Sequence, residues 1–228
     1  MSSPEAWEDE YKKAGIPSSY RTDPSGTLVW FSRFLHHRRA PPGRAVDLGC
    51  GRGRNSIYLS RLGYEVSALD FVESNIQELQ ASEDPMLRKI DFRCHDVCEQ
   101  LPFPDRHFHA AIDIFCYKHQ ISAERRLAYR QEVSRVLHRS GYFLVALAAA
   151  DDGYYRPRLT DSSASDRKIA WDGEAGVVSV LYSPDDLVKE FSDYFTCLAI
   201  DHKRNEGEMH GGVYLRSTIA AVFTHKNS

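Results

Sequence analysis

No stretch of this chain reaches the roughly 18 consecutive apolar residues that a membrane-crossing helix needs. The opening MSSPEAWEDEYKKAG is polar and acidic and lacks the basic start and apolar centre of a secretory signal. Cysteine is sparse: Cys50, Cys94, Cys98, Cys116 and Cys197 are an odd set that cannot all pair within one chain, and no CxxC or His spacing suits zinc. Charge of one sign is not in excess either. The 29 basic and 32 acidic residues leave a formal −3, which provides no electrostatic footprint for nucleic acid or an anionic membrane. Internal repeats and low-complexity tracts are missing as well. Together these absences lead us to expect a reduced, cytoplasmic domain without a metal site, whose partners are small molecules or proteins. They say nothing of oligomeric state.

What is present is an ordinary globular mixture. Hydrophobic residues make up 42% and charged residues 27% of the 228, a length that favours one domain and buries roughly 70% of the unfolded surface without disulfide or metal. Residues 6–14 read as a short helix carrying Trp7 and Tyr11, ended by Gly15 and Pro17. A second helix opens after Asp23-Pro24-Ser25, with Leu28, Phe31 and Leu35 at helical spacing, and stops at Pro41-Pro42-Gly43. Beyond it, strands are expected over 44–48, 64–69, 89–94, 108–115 and 142–147, alternating with helices over 56–62, 74–81 and 122–138. That alternation, joined by short turns, implies βαβ units and a parallel sheet. After a helix over 183–191, strands over 195–202 and 213–225 follow with no helix between them, so they pair antiparallel.

The segment Asp47-Leu-Gly49-Cys-Gly51-Arg-Gly53 follows the first of these strands and opens a helix. Glycine tolerates positive φ and lets a ligand approach the backbone more closely than a β-carbon would permit. The helix N-terminus beyond it offers unpaired N–H groups and a partial positive charge. Asp70, at the end of the next strand, is placed to accept hydrogen bonds from two ribose hydroxyls. A dinucleotide fingerprint needs a third glycine where this chain has Arg54, so the fit is to Asp-x-Gly-x-Gly-x-Gly.

With that motif the chain resembles the class I S-adenosylmethionine-dependent methyltransferases. Asp96-Val97 resembles the family's adenine-contacting acidic position, Leu101-Pro-Phe-Pro-Asp105 the segment before its fourth strand, and Arg139-Ser-Gly141 the turn before its fifth. His109 departs from the acidic residue many relatives carry after the phenylalanine. Within the class, Gly51-Arg-Gly-Arg-Asn-Ser56, Asp151-Asp152 and Gly207-Glu-Met-His210 look most like the tellurite-resistance methyltransferases. Gly211 replaces the arginine usual in that family, which points away from tellurite as the acceptor. Ile114-Phe-Cys-Tyr117 lacks the Asn-Pro-Pro-Tyr or Asp-Pro-Pro-Tyr of base-amino methyltransferases, which points away from nucleic acid. The resemblance implies an α/β, Rossmann-like, seven-stranded, mostly parallel sheet with a C-terminal antiparallel pair and helices on both faces. It also implies S-adenosylmethionine as cofactor.

From the same resemblance, residues 1–40 are expected to form a helical lid and 41–228 the cofactor domain. Cofactor binding is expected of Asp47, Gly49, Cys50, Gly51, Asn55, Asp70, Phe71, Asp96, Val97 and Phe115. The catalytic candidates are His210 and Tyr20, and the acceptor candidates are Tyr11, Arg21, Tyr117, His119 and Tyr154. The leading expectation is methyl transfer to a small molecule by in-line displacement. One alternative is cyclisation of the cofactor's own aminobutyl chain with release of methylthioadenosine. Another is an inactive cofactor-binding scaffold.

Overall fold

The computed structural model describes residues 3–160 and 167–226. The chain opens with helices α1 (Pro4–Lys13), α2 (Pro17–Tyr20) and α3 (Gly26–His37). α1 starts where the Ser3 side chain accepts from the Ala6 N–H and Pro4 occupies the first turn, and its last turn carries Lys12 and Lys13. Strands and helices then alternate as β1 (Arg44–Leu48), α4 (Arg54–Arg61), β2 (Glu65–Asp70), α5 (Glu73–Ala81), β3 (Asp91–Cys94), β4 (Phe108–Ile114), α6 (Ala123–Val136) and β5 (Leu137–Ala148). The seven-stranded sheet is completed, after α7 (Pro184–Phe191), by β9 (Phe195–Met209) and β10 (Gly212–His225).

The strand order is β3-β2-β1-β4-β5-β10-β9. β1 to β5 pair in parallel, β10 joins β5 antiparallel, and β9 joins β10 antiparallel. Alternating side chains divide between two cores, as a pleated sheet buried on both faces requires. One face packs on α6 and α7 through Tyr129, Val133, Leu187 and Phe191; the other packs on α3, α4 and α5 through Leu28, Phe31, Leu59 and Ile76. α3 therefore belongs to the main core, and of the N-terminal segment only α1 and α2 lie over the strand ends.

Three local outcomes differ from the sequence reading. β5 begins directly after α6, and residues 139–141 lie inside it instead of forming a turn. β9 runs seven residues past 202 to Met209, through charged residues whose pattern does not alternate apolar with polar. His210 (φ 48) and Gly211 (φ 73) form the two-residue hairpin connection, the left-handed pair that suits the strand twist. A second, three-stranded antiparallel sheet of β6 (Leu159–Thr160), β7 (Ile169–Asp172) and β8 (Val177–Val180) was not foreseen, because strands of two to four residues leave no periodicity to read. It shares a third apolar cluster with Ile16, Trp7, Tyr154, Tyr155 and Met209.

Candidate active site

The parallel strands end at a narrow cavity of about 90 Å³. Its walls include six of the expected cofactor residues: Gly49, Asp70, Phe71, Asp96, Val97 and Phe115. The turn after β1 takes positive φ at Gly49 (75°) and Gly51 (55°). A β-carbon on Gly51 would lie 2.5 Å from the Tyr11 hydroxyl, and one on Gly49 would lie 2.7 Å from Cys116 Sγ. Only glycine leaves that surface clear. Asp70 anchors the turn: Oδ2 accepts from the Gly51 N–H at 2.7 Å and Oδ1 from the Val72 N–H at 2.9 Å. A carboxylate has about four acceptor sites, so both oxygens keep capacity for ligand hydroxyls. Burial pushes the Asp70 carboxyl above the ordinary carboxylate range, while the Val72 and Gly51 amides pull it back.

Other expected cofactor residues support the turn from beneath and do not line the cavity. Asp47 accepts from the Ser56 hydroxyl at 2.6 Å, and burial pushes its carboxyl up to about 7. Asn55 accepts from the Ser25 N–H at 3.0 Å, tying the start of α3 to the start of α4. The buried Cys50 thiol is also pushed up by burial, so it is no thiolate nucleophile. Asp96 is held by Arg125, whose Nη2 donates to both carboxylate oxygens at 2.8 Å. Nothing in the sequence marked Arg125; it reaches Asp96 from the first turn of α6 only once the chain has folded.

α1 covers this cavity. Trp7 and Tyr11 line it, the Arg52 guanidinium stacks 5.7 Å from the Tyr11 ring, and Arg52 donates to the Tyr11 carbonyl at 3.3 Å. Tyr11, expected in the acceptor pocket, therefore faces the glycine turn.

A larger cavity of about 630 Å³ adjoins the first, and Trp7, Ser18, Phe115 and His119 line both. Tyr20 and Arg21 line the larger one, as does Tyr155. Phe115, at the junction, takes φ 72, an uncommon conformation for an aromatic residue and of the kind that concentrates at ligand sites. His119 Nδ1 lies 2.7 Å from the Val178 carbonyl, an acceptor only, so Nδ1 carries the proton. Its Nε2 is buried with no hydrogen-bond partner. Burial, then the neighbouring Lys118 charge, lower its pKa to about 3, so the ring stays neutral at physiological pH.

Three of the expected catalytic and acceptor residues line neither cavity. Tyr117 points into the core, where its hydroxyl donates to Glu190 at 2.8 Å and its ring packs on Tyr129 and Phe191. Tyr154 is fully buried and donates to Asp172 at 3.0 Å. His210 sits in the β9–β10 turn, with Nε2 3.0 Å from the other Asp172 oxygen and its backbone N–H donating to the Gly15 carbonyl at 2.9 Å. Its role there is to fasten the hairpin to the α1–α2 connection. Each of these side chains found a buried polar partner, and burial of an unpaired hydroxyl or ring nitrogen would have cost more than solvent-facing placement.

The relatives agree with this architecture. A methyltransferase-domain profile matches residues 45–141. A probable S-adenosyl-L-methionine-dependent methyltransferase of Haemophilus influenzae, TehB, is 30% identical over 111 residues, 49% of this chain but only 38% of its own length. An uncharacterized methyltransferase of Schizosaccharomyces pombe is 30% identical over 112 residues, 49% of this chain and 76% of its own. The fold also resembles Burkholderia thailandensis 1,6-didemethyltoxoflavin-N1-methyltransferase, solved with bound 1,6-didemethyltoxoflavin and S-adenosylhomocysteine, at a TM-score of 0.66 and 20% identity over 97% of this chain and 87% of that one. Glycine turn, β2 acid, strand order and relatives converge, and the chain belongs to the class I S-adenosylmethionine-dependent methyltransferases, with S-adenosylmethionine as its cofactor.

Proposed function

We propose that this chain methylates a small molecule held in the larger cavity, with the reacting atoms meeting at the wall shared by Phe115 and His119. The observation that carries the reading is the joining of two cavities of different character. The narrow one has the glycine surface and acids for a nucleoside; the wide one falls within the ~300–1,000 Å³ of small-molecule sites. S-adenosylmethionine fits the first on this structure's own terms: a β-carbon-free turn, Asp70 for the ribose, Asp96 for the adenine amine, and Phe71 and Val97 as apolar walls. Bound there, it supplies a methyl group activated by a positively charged sulfur.

The protein's own contribution is placement and exclusion of water. Fixing two reactants in line lowers the barrier by several kcal/mol without further chemistry. Phe115 and Trp7 provide apolar walls at the junction, and α1 with α2 acts as a lid. Trp7 and Tyr11 of α1 line the narrow cavity, so α1 is the element that would move aside for cofactor entry. His119 Nε2, buried and unprotonated, accepts a hydrogen bond from an acceptor O–H or N–H and so orients the attacking atom; with its pKa lowered to about 3 the ring positions that group and does not take up its proton. Tyr20 and Arg21 lie on the cavity wall as acceptor contacts. The width of the second cavity argues against folding the cofactor upon itself for cyclisation, which needs a tight enclosure.

The test is methyl-labelled S-adenosylmethionine incubated with the protein and a low-mass metabolite extract. Label should appear in a small organic product, and His119→Ala should slow its formation by about tenfold, the range for one lost orienting hydrogen bond. Label on protein or nucleic acid, or methylthioadenosine released from cofactor alone, would overturn the reading.

A further inference from the structure

Buried cations in this fold are matched by carboxylates. Arg126 and Arg130 share Glu190 at 3.0 and 2.6 Å, and Arg216 pairs with Asp152 at 2.9 Å. Lys118 departs from that pattern. It follows Tyr117 in the short turn after β4, is only 4% exposed, and has no carboxylate within ion-pair distance among the described residues. Its Nζ donates to the Tyr155 hydroxyl at 2.9 Å and lies 5.7 Å from the Phe115 ring and 4.4 Å from the Tyr155 ring. The other two ammonium protons have no protein acceptor among the described residues. Both Lys118 and Tyr155, the latter 1% exposed, line the larger cavity.

A buried charge without a partner is costly, and folds retain one where a ligand supplies the counter-charge. We propose that Lys118 and Tyr155 form a binding site for a carboxylate carried by the acceptor. Because the Tyr155 oxygen accepts from Lys118, its own proton is left to donate. The pair thus presents two donors, 2.9 Å apart, to the two oxygens of one carboxylate. The flanking Phe115 and Tyr155 rings favour a planar organic body beside that group. Lys118 and His119 line the same cavity, and the Lys118 charge is felt at the His119 ring, so the carboxylate and the methylated O–H or N–H belong to one small molecule. The substrate class is a hydroxy- or amino-carboxylate with an aromatic frame. The acids that line this cavity do not oppose the assignment: Asp23 adjoins Arg54, whose Nη1 donates to the Asp23 carbonyl at 3.1 Å, Asp201 is matched by Lys203 at 2.8 Å, and Glu206 and Glu208 lie on β9 towards the hairpin turn.

This inference rests on the wide cavity's being the acceptor site. It is tested by calorimetry on the full chain, with and without S-adenosylhomocysteine, using salicylate and anthranilate against salicylamide and anthranilamide. The acids should bind about 10- to 100-fold more tightly than the amides, the range for hydrogen bonds to a charged group. Lys118→Met, which keeps the apolar stem, should abolish the preference, and Tyr155→Phe should reduce it while leaving the ammonium in place. Retained S-adenosylhomocysteine binding reports that each variant is folded. An acid that binds no better than its amide, including no binding by any of the four, overturns the site, as does a preference that survives Lys118→Met. Labelled methyl passing to a macromolecule would instead strike the small-molecule reading, so the two failures are separable.

Discussion

Gly51 shows how one residue brings α1 against the glycine turn. Alanine there meets two penalties at once: a positive φ costing roughly 1–2 kcal/mol and a β-carbon 2.5 Å from the Tyr11 hydroxyl. Gly51→Ala should lower the melting temperature and weaken S-adenosylhomocysteine binding. Tyr11→Phe on that background, by removing the hydroxyl, should restore part of the affinity but not the backbone cost. No recovery in calorimetry would show that the contact is not what limits binding. Asp113 supports a pH prediction. Its carboxyl accepts from the Cys116 and Tyr117 amides and the Tyr129 hydroxyl, and burial pushes it up to about 7. A carboxyl whose folded pKa is raised binds its proton more readily in the native state, so its contribution to stability falls as pH rises from about 4 to about 7. Asp113→Asn removes that loss. Relative to wild type, the variant should fare better at pH 8 than at pH 5, by at most about 1.4 kcal/mol per pH unit, in urea unfolding. An unchanged difference across that window would refute the assignment.

At the scale of elements, Asp172 at the end of β7 is the fastening between the small sheet, the hairpin and the lid. One oxygen accepts from the Tyr154 hydroxyl and from the Glu174 and Ala175 amides; the other meets His210. Asp172→Ala strands several buried polar groups at roughly 1–3 kcal/mol each. We expect a destabilisation of about 3 kcal/mol or more, with faster hydrogen exchange in residues 169–180 than in β1 or β4. Uniform exchange across the molecule would mean that the small sheet is not a separately fastened unit. The long parallel-sheet elements were legible in the sequence because each carries a hydrophobic run or a helical stripe bounded by glycine or proline. The β6–β8 sheet and the extension of β9 were not. Their stability comes from packing on Trp7, Tyr154 and Met209, contacts made between residues far apart in the chain.

For the whole molecule, deletion of residues 1–20 separates fold from lid. α3 remains, and with it Leu28, Phe31 and Leu35 in the main core, so unfolding should stay a single cooperative transition at a lower temperature. S-adenosylhomocysteine should associate faster with the truncated protein yet bind about tenfold more weakly, a change of ~1.4 kcal/mol. Affinity equal to that of the intact chain would remove α1 and α2 from the site. Among the described residues no helix is long and apolar enough to cross a membrane; Trp7 and Ile16 pack in the third apolar cluster.

The sequence by itself determined the seven-stranded sheet, its antiparallel closure and six residues of the narrow cavity's wall. These rest on local signals: apolar runs, a glycine turn after a strand, and an acid at the next strand's end, each interpretable within a few residues. Only the tertiary structure decided which side chains face the larger cavity. Tyr117 and Lys118 are neighbours in one turn, yet Tyr117 turned into the core to meet Glu190 while Lys118 turned to Tyr155 and the cavity. Tyr154 and Tyr155 divided in the same way between Asp172 and Lys118. A turn has no period to fix direction, so each side chain goes where its polar atom finds a partner. Those partners lie 18 to 73 residues away.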